Sequence, residues 1–178
     1  MLQGGGIVKS VVVVSALFTM VGAPSIRTVS AAAGGASDDG YVRVLRETPV
    51  SPSAEIPQNV REECHTMGKE MPNAIVRSSR RVKLVQDPKT LSEKSGKYLS
   101  IEITQVKAKG GGAFTGPKKM IVRGSLIENG KEVANFDAER GSMKAASTCS
   151  TLQKAEKELG GDIGKWLEHP KPNAHLGD

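Results

Sequence analysis

The fold is decided by residues 98–138, which read YLSIEITQVKAKGGGAFTGPKKMIVRGSLIENGKEVANFDA. Residues 98–104 alternate apolar and polar side chains, which is typical of a strand with one buried face. The apolar run over residues 119–127 leads into Asn129-Gly130, a pair that tolerates both positive φ angles of a type I′ hairpin turn. Residues 133–138 then return antiparallel. The stretch therefore predicts a three-stranded antiparallel meander.

Two predicted helices flank this meander. Asn59 begins the first helix as an N-cap. Pro72 interrupts it and is the expected first residue of a further short helix at residues 72–76. The second flanking helix carries an apolar stripe over residues 149–167, with a kink expected at Gly160-Gly161 because glycine weakens a helix interior. Residues 81–86 add a further strand. We expect an α+β two-layer sandwich, with a mainly antiparallel sheet of about four strands and two helices on one face.

Composition limits the chain to one small domain with appendages. It has 178 residues, is 38% hydrophobic and 3% aromatic, and carries 25 Lys+Arg against 19 Asp+Glu. A mean hydropathy of -0.29 favours a folded, water-exposed domain over a membrane protein or a disordered chain. Aromatic side chains are too few for base stacking, and no dense basic stripe is present, so nucleic acid is excluded as a partner.

The first 33 residues have the pattern of a cleaved signal peptide. Lys9 precedes an apolar run over residues 10–23, which is shorter than the ~20 residues that a membrane span needs. Small residues at 29–33 fit signal-peptidase cleavage; the alternative is an uncleaved anchor. The remaining chain, with 23 basic and 19 acidic residues and a net charge of +4, would be periplasmic or secreted without a stable membrane span.

The mature chain is divided by its proline and glycine content. Residues 34–57 are predicted to be a flexible leader carrying at most an edge strand, because prolines and glycines interrupt any regular pattern. Residues 58–169 form the α/β domain. Residues 170–178 are predicted to be a flexible tail, since Pro170 and Pro172 end the last helix.

The mature chain has two cysteines, Cys64 and Cys149. In an oxidising compartment a disulfide between them is the expected state, and only one pairing is possible. A thiol nucleophile or a zinc site with His65 and the two tail histidines is the alternative. The spacing does not suit zinc, whose ligands are usually paired close in sequence. We therefore expect no metal site.

The glycine-rich segment at residues 109–118 is a second candidate site. It lacks the lysine of a phosphate-binding loop, because Pro117 stands where that lysine would be. A long hairpin loop describes it better. The surrounding residues predict either contact with an anion or partner, or charges that protect a sheet edge from pairing. These residues are Lys107, Lys109, Phe114, Lys118 and Lys119.

Catalytic chemistry is not expected. The three histidines lie beside a cysteine or near the chain end, so none is placed as a general base. The paired carboxylates, such as Glu156-x-Glu158, fit helix caps and solvated faces better than acid-base work. We expect no enzyme activity and no cofactor; the alternative is a small envelope hydrolase with an unrecognised site.

The order of these features resembles a group of small exported Gram-negative proteins of unassigned function. The resemblance covers about residues 58–168. The residues that carry it are Cys64, Met71-Pro72, Leu99-x-Ile101-x-Ile103, the loop from Gly110 to Lys118, Cys149, and Asp162-Ile163-x-x-Trp166-Leu167. More distantly, the order looks like the α/β sandwich domain of envelope lipoproteins in curli secretion and peptidoglycan-synthase activation. Unlike those lipoproteins, this chain has no anchoring cysteine. The resemblance implies a fold and a compartment but no substrate.

Together these patterns favour a non-catalytic periplasmic binding or assembly module of the cell envelope. Exposed sheet edges or the lysine-rich glycine loop would make the contact. The expected partner is an envelope protein or an anionic envelope polymer.

Overall fold

The computed structural model describes residues 40–91, 96–108, 117–142 and 147–177. The predicted signal peptide lies outside these residues. Within the described ranges the chain forms seven strands and four helices. The strands are β1 (Val42–Leu45), β2 (Val50–Glu55), β3 (Val82–Val85), β4 (Lys97–Lys107), β5 (Lys118–Glu128), β6 (Lys131–Ser142) and β7 (Ala174–Gly177). The helices are α1 (Gln58–Glu63), α2 (Glu70–Ser78), α3 (Pro88–Leu91) and α4 (Thr148–Trp166).

All the strands belong to one mixed sheet, in the order β3-β1-β4-β5-β6-β7. Strand β2 also pairs with β4, beyond the end of β1. The long central strands β4, β5 and β6 are antiparallel neighbours, whereas β1, β2, β3 and β7 are joined to the sheet in parallel. The architecture is therefore a central meander extended on both sides by short parallel strands.

The central meander follows the sequence pattern closely. Leu99, Ile101 and Ile103 are buried on one face of β4. The register shifts directly after Ile103, where the apolar phase of the sequence also slips. Asn129 and Gly130 have φ angles of 51° and 77° at the turn between β5 and β6. These are the positive angles that a two-residue hairpin turn of this kind requires.

Helices α2 and α4 pack tightly against each other, and α4 covers β5 and β6. The contact depends on two glycines of α4. A Cβ at Gly160 would lie 2.5 Å from the Cβ of Ala74, and one at Gly164 would lie 2.5 Å from the Cβ of Ser78. Small residues at this spacing let the two helix backbones approach more closely than any side chain would permit. The core beneath is dominated by aliphatic residues, with Phe136 and Trp166 in edge-to-face contact at 4.9 Å.

The α+β class is confirmed, but the predicted number of about four strands is wrong: the described residues form a mixed sheet of seven strands. Residues 42–45 and 50–55, expected in a flexible leader, form β1 and β2, and β1 is an inner strand with buried valines at 42 and 44. The predicted tail contributes β7 at residues 174–177. Each of these strands has only four to six residues, and prolines adjoin and interrupt β2. Their local pattern is therefore weak, and distant partners stabilise them.

The first predicted helix differs from the structure in two respects. Helix α1 begins at Gln58 after Pro57, so Asn59 lies inside it and does not cap it. Pro72 occupies the third position of α2, where the missing N–H has no intrahelical partner to lose. Helix α4 continues through Gly160-Gly161 from a capping box formed by Ser147 and Ser150. Packing against α2 offsets the weak helix propensity of these glycines.

In the part of the chain that the structure describes, every helix is too short or too polar to cross a lipid bilayer.

Candidate functional site

The two cysteines lie where α1 ends and α4 begins. Cys64 is the C-cap of α1, and Cys149 is the second residue of α4. A disulfide joins them, with the Cα atoms 5.3 Å apart. The bond links segments 85 residues apart in sequence and contacts the core through Cys64, which is buried. It therefore fixes the start of the loop that connects α1 to α2.

The rest of that loop is held by α4. Gln153 donates a hydrogen bond of 2.7 Å to the hydroxyl of Thr66. The carboxylate of Glu156 accepts hydrogen bonds from the backbone N–H groups of Gly68, at 2.9 Å, and Glu70, at 3.0 Å. These N–H groups lie at the N-terminal end of α2, where helix donors have no partner within the helix. Glu156, which belongs to α4, therefore caps the N-terminal end of α2.

Glu156 is completely buried. Burial raises the pKa of its carboxyl, more than the hydrogen bonds from Gly68 and Glu70 lower it. The sequence predicted a cap or a solvated face for this residue and missed its burial. Glu156 follows Leu152 by four residues and precedes Leu159 by three, so its place on the apolar stripe was the signal that could have revealed it.

The predicted anion-contact residues differ in their exposure where the structure describes them. Lys107 is exposed at the end of β4, opposite Lys119 on β5. Lys119 forms an ion pair of 2.5 Å with Glu139 on β6. Lys118 is only 6% exposed. Lys109 and Phe114 lie outside the described residues. Among the three described lysines of this predicted contact, Lys107 is therefore the one that stays exposed.

The side of the sheet opposite α4 carries polar residues in cross-strand rows. Arg123 on β5 lies beside Asp137 on β6, and Asp137 lies beside His175 on β7. Arg123 donates a hydrogen bond of 3.0 Å to the Asp137 carboxylate. Arg123 and Asp137 are on strands whose alternate residues are buried in the core, and the neighbours of His175 on β7 are half-buried. The row is therefore fixed in position by the sheet and open to water.

Beside this row lies a cavity of about 380 Å³, which we call the β6–β7 groove. Asn135 donates a 2.7 Å hydrogen bond to Glu132 and accepts one of 2.5 Å from the backbone N–H of Asn173. Hydrogen bonds from Ser125 and Asn135 lower the pKa of the Glu132 carboxyl. The groove thus offers a set of donors and acceptors that are already held in position. It is lined by Arg123, Ser125, Glu132, Asn135, Phe136, Asp137, Asn173 and His175.

The groove contains a serine, a histidine and an aspartate, which are the residue types of a hydrolytic triad. Their hydrogen bonds do not follow the serine–histidine–aspartate chain of such a triad. The Ser125 hydroxyl bonds Glu132, and the Asp137 carboxylate is engaged by Arg123. This arrangement suits ligand binding better than nucleophile activation, because both acidic groups stabilise neighbouring donors.

No group of three His, Cys, Asp or Glu side chains in the described ranges could hold a metal ion.

No protein-family model matches the chain, and no curated protein matches it. Among solved structures, PelC from Paraburkholderia phytofirmans, a dodecamer, is similar with a TM-score of 0.43 and 16% identity, over 68% of this chain and 86% of that one. Protein XCC0632 from Xanthomonas campestris, assigned to the family model DUF330, has a TM-score of 0.41 and 14% identity, over 72% and 83% of the two chains. These scores are too low to transfer a fold or a function to this protein.

Proposed function

We propose that this protein is a non-catalytic binding or assembly module of the cell envelope, located in the periplasm. The observation that carries the proposal is the polar side of the sheet, opposite α4. There, Arg123, Asp137 and His175 form an exposed row beside the β6–β7 groove. A rigid sheet that presents ordered donors and acceptors to water is suited to bind a partner without chemical change.

The proposed compartment is supported by two independent features. The N-terminal 33 residues have the charge, apolar length and small-residue site of an export signal. The Cys64–Cys149 disulfide would be stable in an oxidising compartment and rare in the cytosol. Fractionation of cells that express the full chain tests this part: the protein should appear in the periplasmic fraction, shortened at its N-terminus.

A crosslinking experiment tests the binding role. A photo-crosslinking amino acid replaces Arg123 on the polar side of the sheet, or Lys154 on the exposed side of α4 as a matched control. We expect irradiation of intact envelopes to join a discrete partner to the chain at position 123 but not at position 154. Equal products from both positions, or none from either, would contradict the proposal.

The glycine loop remains a second proposed contact, for an anionic envelope polymer. Lys107 with Lys109 and Phe114 would form it, without Lys118, which is buried, and with Lys119 neutralised by Glu139. Retention on purified cell-wall material should then fall steeply as salt is raised, because exposed charges are screened. Retention that K107E/K109E leaves unchanged would reject this contact.

A further inference from the structure

The positive charge of this protein is concentrated at one edge of the sheet. Residues 41–47 and 80–87 together contain five basic and two acidic residues, a net charge of +3. The chain beyond residue 33 has a net charge of only +4, so these two short stretches carry most of it. The basic residues are Arg43, Arg46, Arg80, Arg81 and Lys83.

The sheet brings the two stretches together. Strands β1 and β3 are parallel neighbours, with Arg43 directly beside Lys83. Like charges at directly opposite positions repel each other, which makes the site receptive to an anion. Lys83 also lies 4.0 Å from the centre of the Tyr41 ring, and Arg43 has further contacts. Three further basic residues adjoin these two strands and are exposed: Arg80 and Arg81 directly precede β3, and Arg46 directly follows β1. We call these five basic residues the basic edge.

Strand β3 is the last strand on this side of the sheet, among the described residues. The N–H of Val42 donates to the carbonyl of Arg81 at 2.6 Å, and that of Arg46 to the carbonyl of Val85 at 2.9 Å. In a parallel ladder alternate residues of a strand bond to the same neighbour. The backbone N–H and C=O groups of Val82 and Leu84 therefore point away from β1 and could pair with another strand. Val82 is buried, with 7% of its surface exposed, and Leu84 is half-buried, so Leu84 is the more accessible of the two.

We propose that the basic edge binds an acidic, extended segment of a partner protein, which adds to the sheet as a strand beside β3. Backbone hydrogen bonds to Val82 and Leu84 would supply the pairing, and the surrounding basic residues would select an acidic sequence. The half-buried side chains of Leu84 and Val85 add apolar contact at the same edge. This inference rests on the proposed binding function and identifies the edge and the partner chemistry.

A strand-forming partner is favoured over an anionic polymer because the edge combines charge with unpaired backbone groups. A polymer would need the charges alone. Basic side chains at an edge also discourage pairing with a second copy of the same edge, since the two would repel. An acidic strand has the opposite charge to the basic edge, so it is attracted to the edge where a second copy of the edge would be repelled.

The test uses the mature protein, its disulfide intact, and fluorescent peptides about eight residues long, which is sufficient for one strand. The probe alternates valine and glutamate. Its matched control has the same sequence with N-methylated valines, which keeps the charge and removes the backbone donors. A third peptide replaces glutamate with lysine. Binding is measured by fluorescence anisotropy at low and high salt.

The variant R46E/R81E reverses two charges of the basic edge. The control variant K131E/K154E makes the same change of net charge at exposed positions elsewhere, on β6 and α4. Melting temperatures of both variants establish that they are folded. We expect the valine-glutamate peptide to bind the wild type, and R46E/R81E to weaken it about tenfold or more, with little effect of K131E/K154E.

Three results would overturn the proposal. The first is no saturable binding of the valine-glutamate peptide by the wild-type protein. The second is equal affinity for the N-methylated peptide, which would assign the edge to polyanions in general. The third is an equal loss in both variants. If position 123 still crosslinks an envelope partner after any of these, the binding function stands and only the basic edge is wrong.

Discussion

The two adjacent glycines of α4 are expected to respond to alanine in opposite directions. Alanine favours a helix interior over glycine by about 1 kcal/mol, so local propensity alone predicts that both substitutions stabilise the protein. Their surroundings differ. A Cβ at Gly161 would meet only the Ser78 hydroxyl oxygen, at 3.8 Å, which is an ordinary contact. Gly161→Ala should therefore raise the free energy of unfolding by up to about 1 kcal/mol.

At Gly160 the added methyl group would meet α2. It would lie 2.5 Å from the Cβ of Ala74 and 2.5 Å from the carbonyl oxygen of Met71. The second atom belongs to the backbone, so no side-chain rotation relieves the overlap and the helices must separate. Overpacking of this kind costs about 1–3 kcal/mol, and more where backbone must move. Because backbone must move here, the cost should be about 2–3 kcal/mol. The gain of about 1 kcal/mol in propensity offsets part of it, so Gly160→Ala should lower the free energy of unfolding by about 1–2 kcal/mol.

Urea unfolding followed by circular dichroism, with the disulfide intact, measures both variants against the wild type. The midpoints should move in opposite directions, and thermal melting should separate the two variants by several degrees, at about 3 °C per kcal/mol. A Gly160→Ala protein as stable as the wild type would refute the close helix contact. Two changes of the same sign and size would show that propensity alone governs this segment.

Three further substitutions test the loop between α1 and α2. The raised pKa of Glu156 means that its contribution is complete below its ordinary pKa of 4.5 and is lost as pH rises through the folded value, so the wild type should lose stability relative to Glu156→Gln on going from pH 4 to pH 8. A pH-independent difference in urea midpoints would contradict this. Replacing Cys64 and Cys149 together by alanine should lower the free energy of unfolding by about 4–5 kcal/mol, because the bond closes a loop of 85 residues; a loss below about 1 kcal/mol would argue against that role. Gly68→Ala should cost more than about 1 kcal/mol in the same assay, since Gly68 has a φ of +92° and a Cβ there would overlap the carbonyl oxygen of Thr48; an unchanged midpoint would exclude this conformation.

The local sequence pattern was sufficient to predict the three central strands of the sheet. The alternation over residues 98–104 and the Asn129-Gly130 turn identified β4 and the hairpin of β5 and β6, because each depends on neighbours within a few positions. The long apolar stripe likewise identified α4. These elements bury one complete face, so their sequences carry a clear period.

The candidate site was much less accessible to sequence reasoning. The lysines near the glycine loop suggested one surface, yet in the folded sheet Lys119 forms an ion pair with Glu139 and Lys118 is buried. The β6–β7 groove was missed because His175 belongs to a segment predicted as a tail. It becomes a partner of Asp137 only when β7 joins the sheet.

By itself, the amino-acid sequence determined the meander, the last helix and the one possible cysteine pairing, since periodicity and composition are local properties. The tertiary structure alone decided that residues 42–45 and 174–177 are strands, that Glu156 is a buried cap and that Gly160 is a contact point between helices. Each of these features depends on a contact with a residue about 40 to 90 positions away in sequence. No short window of sequence contains both halves of such a contact, so its energy becomes visible only when the chain is folded.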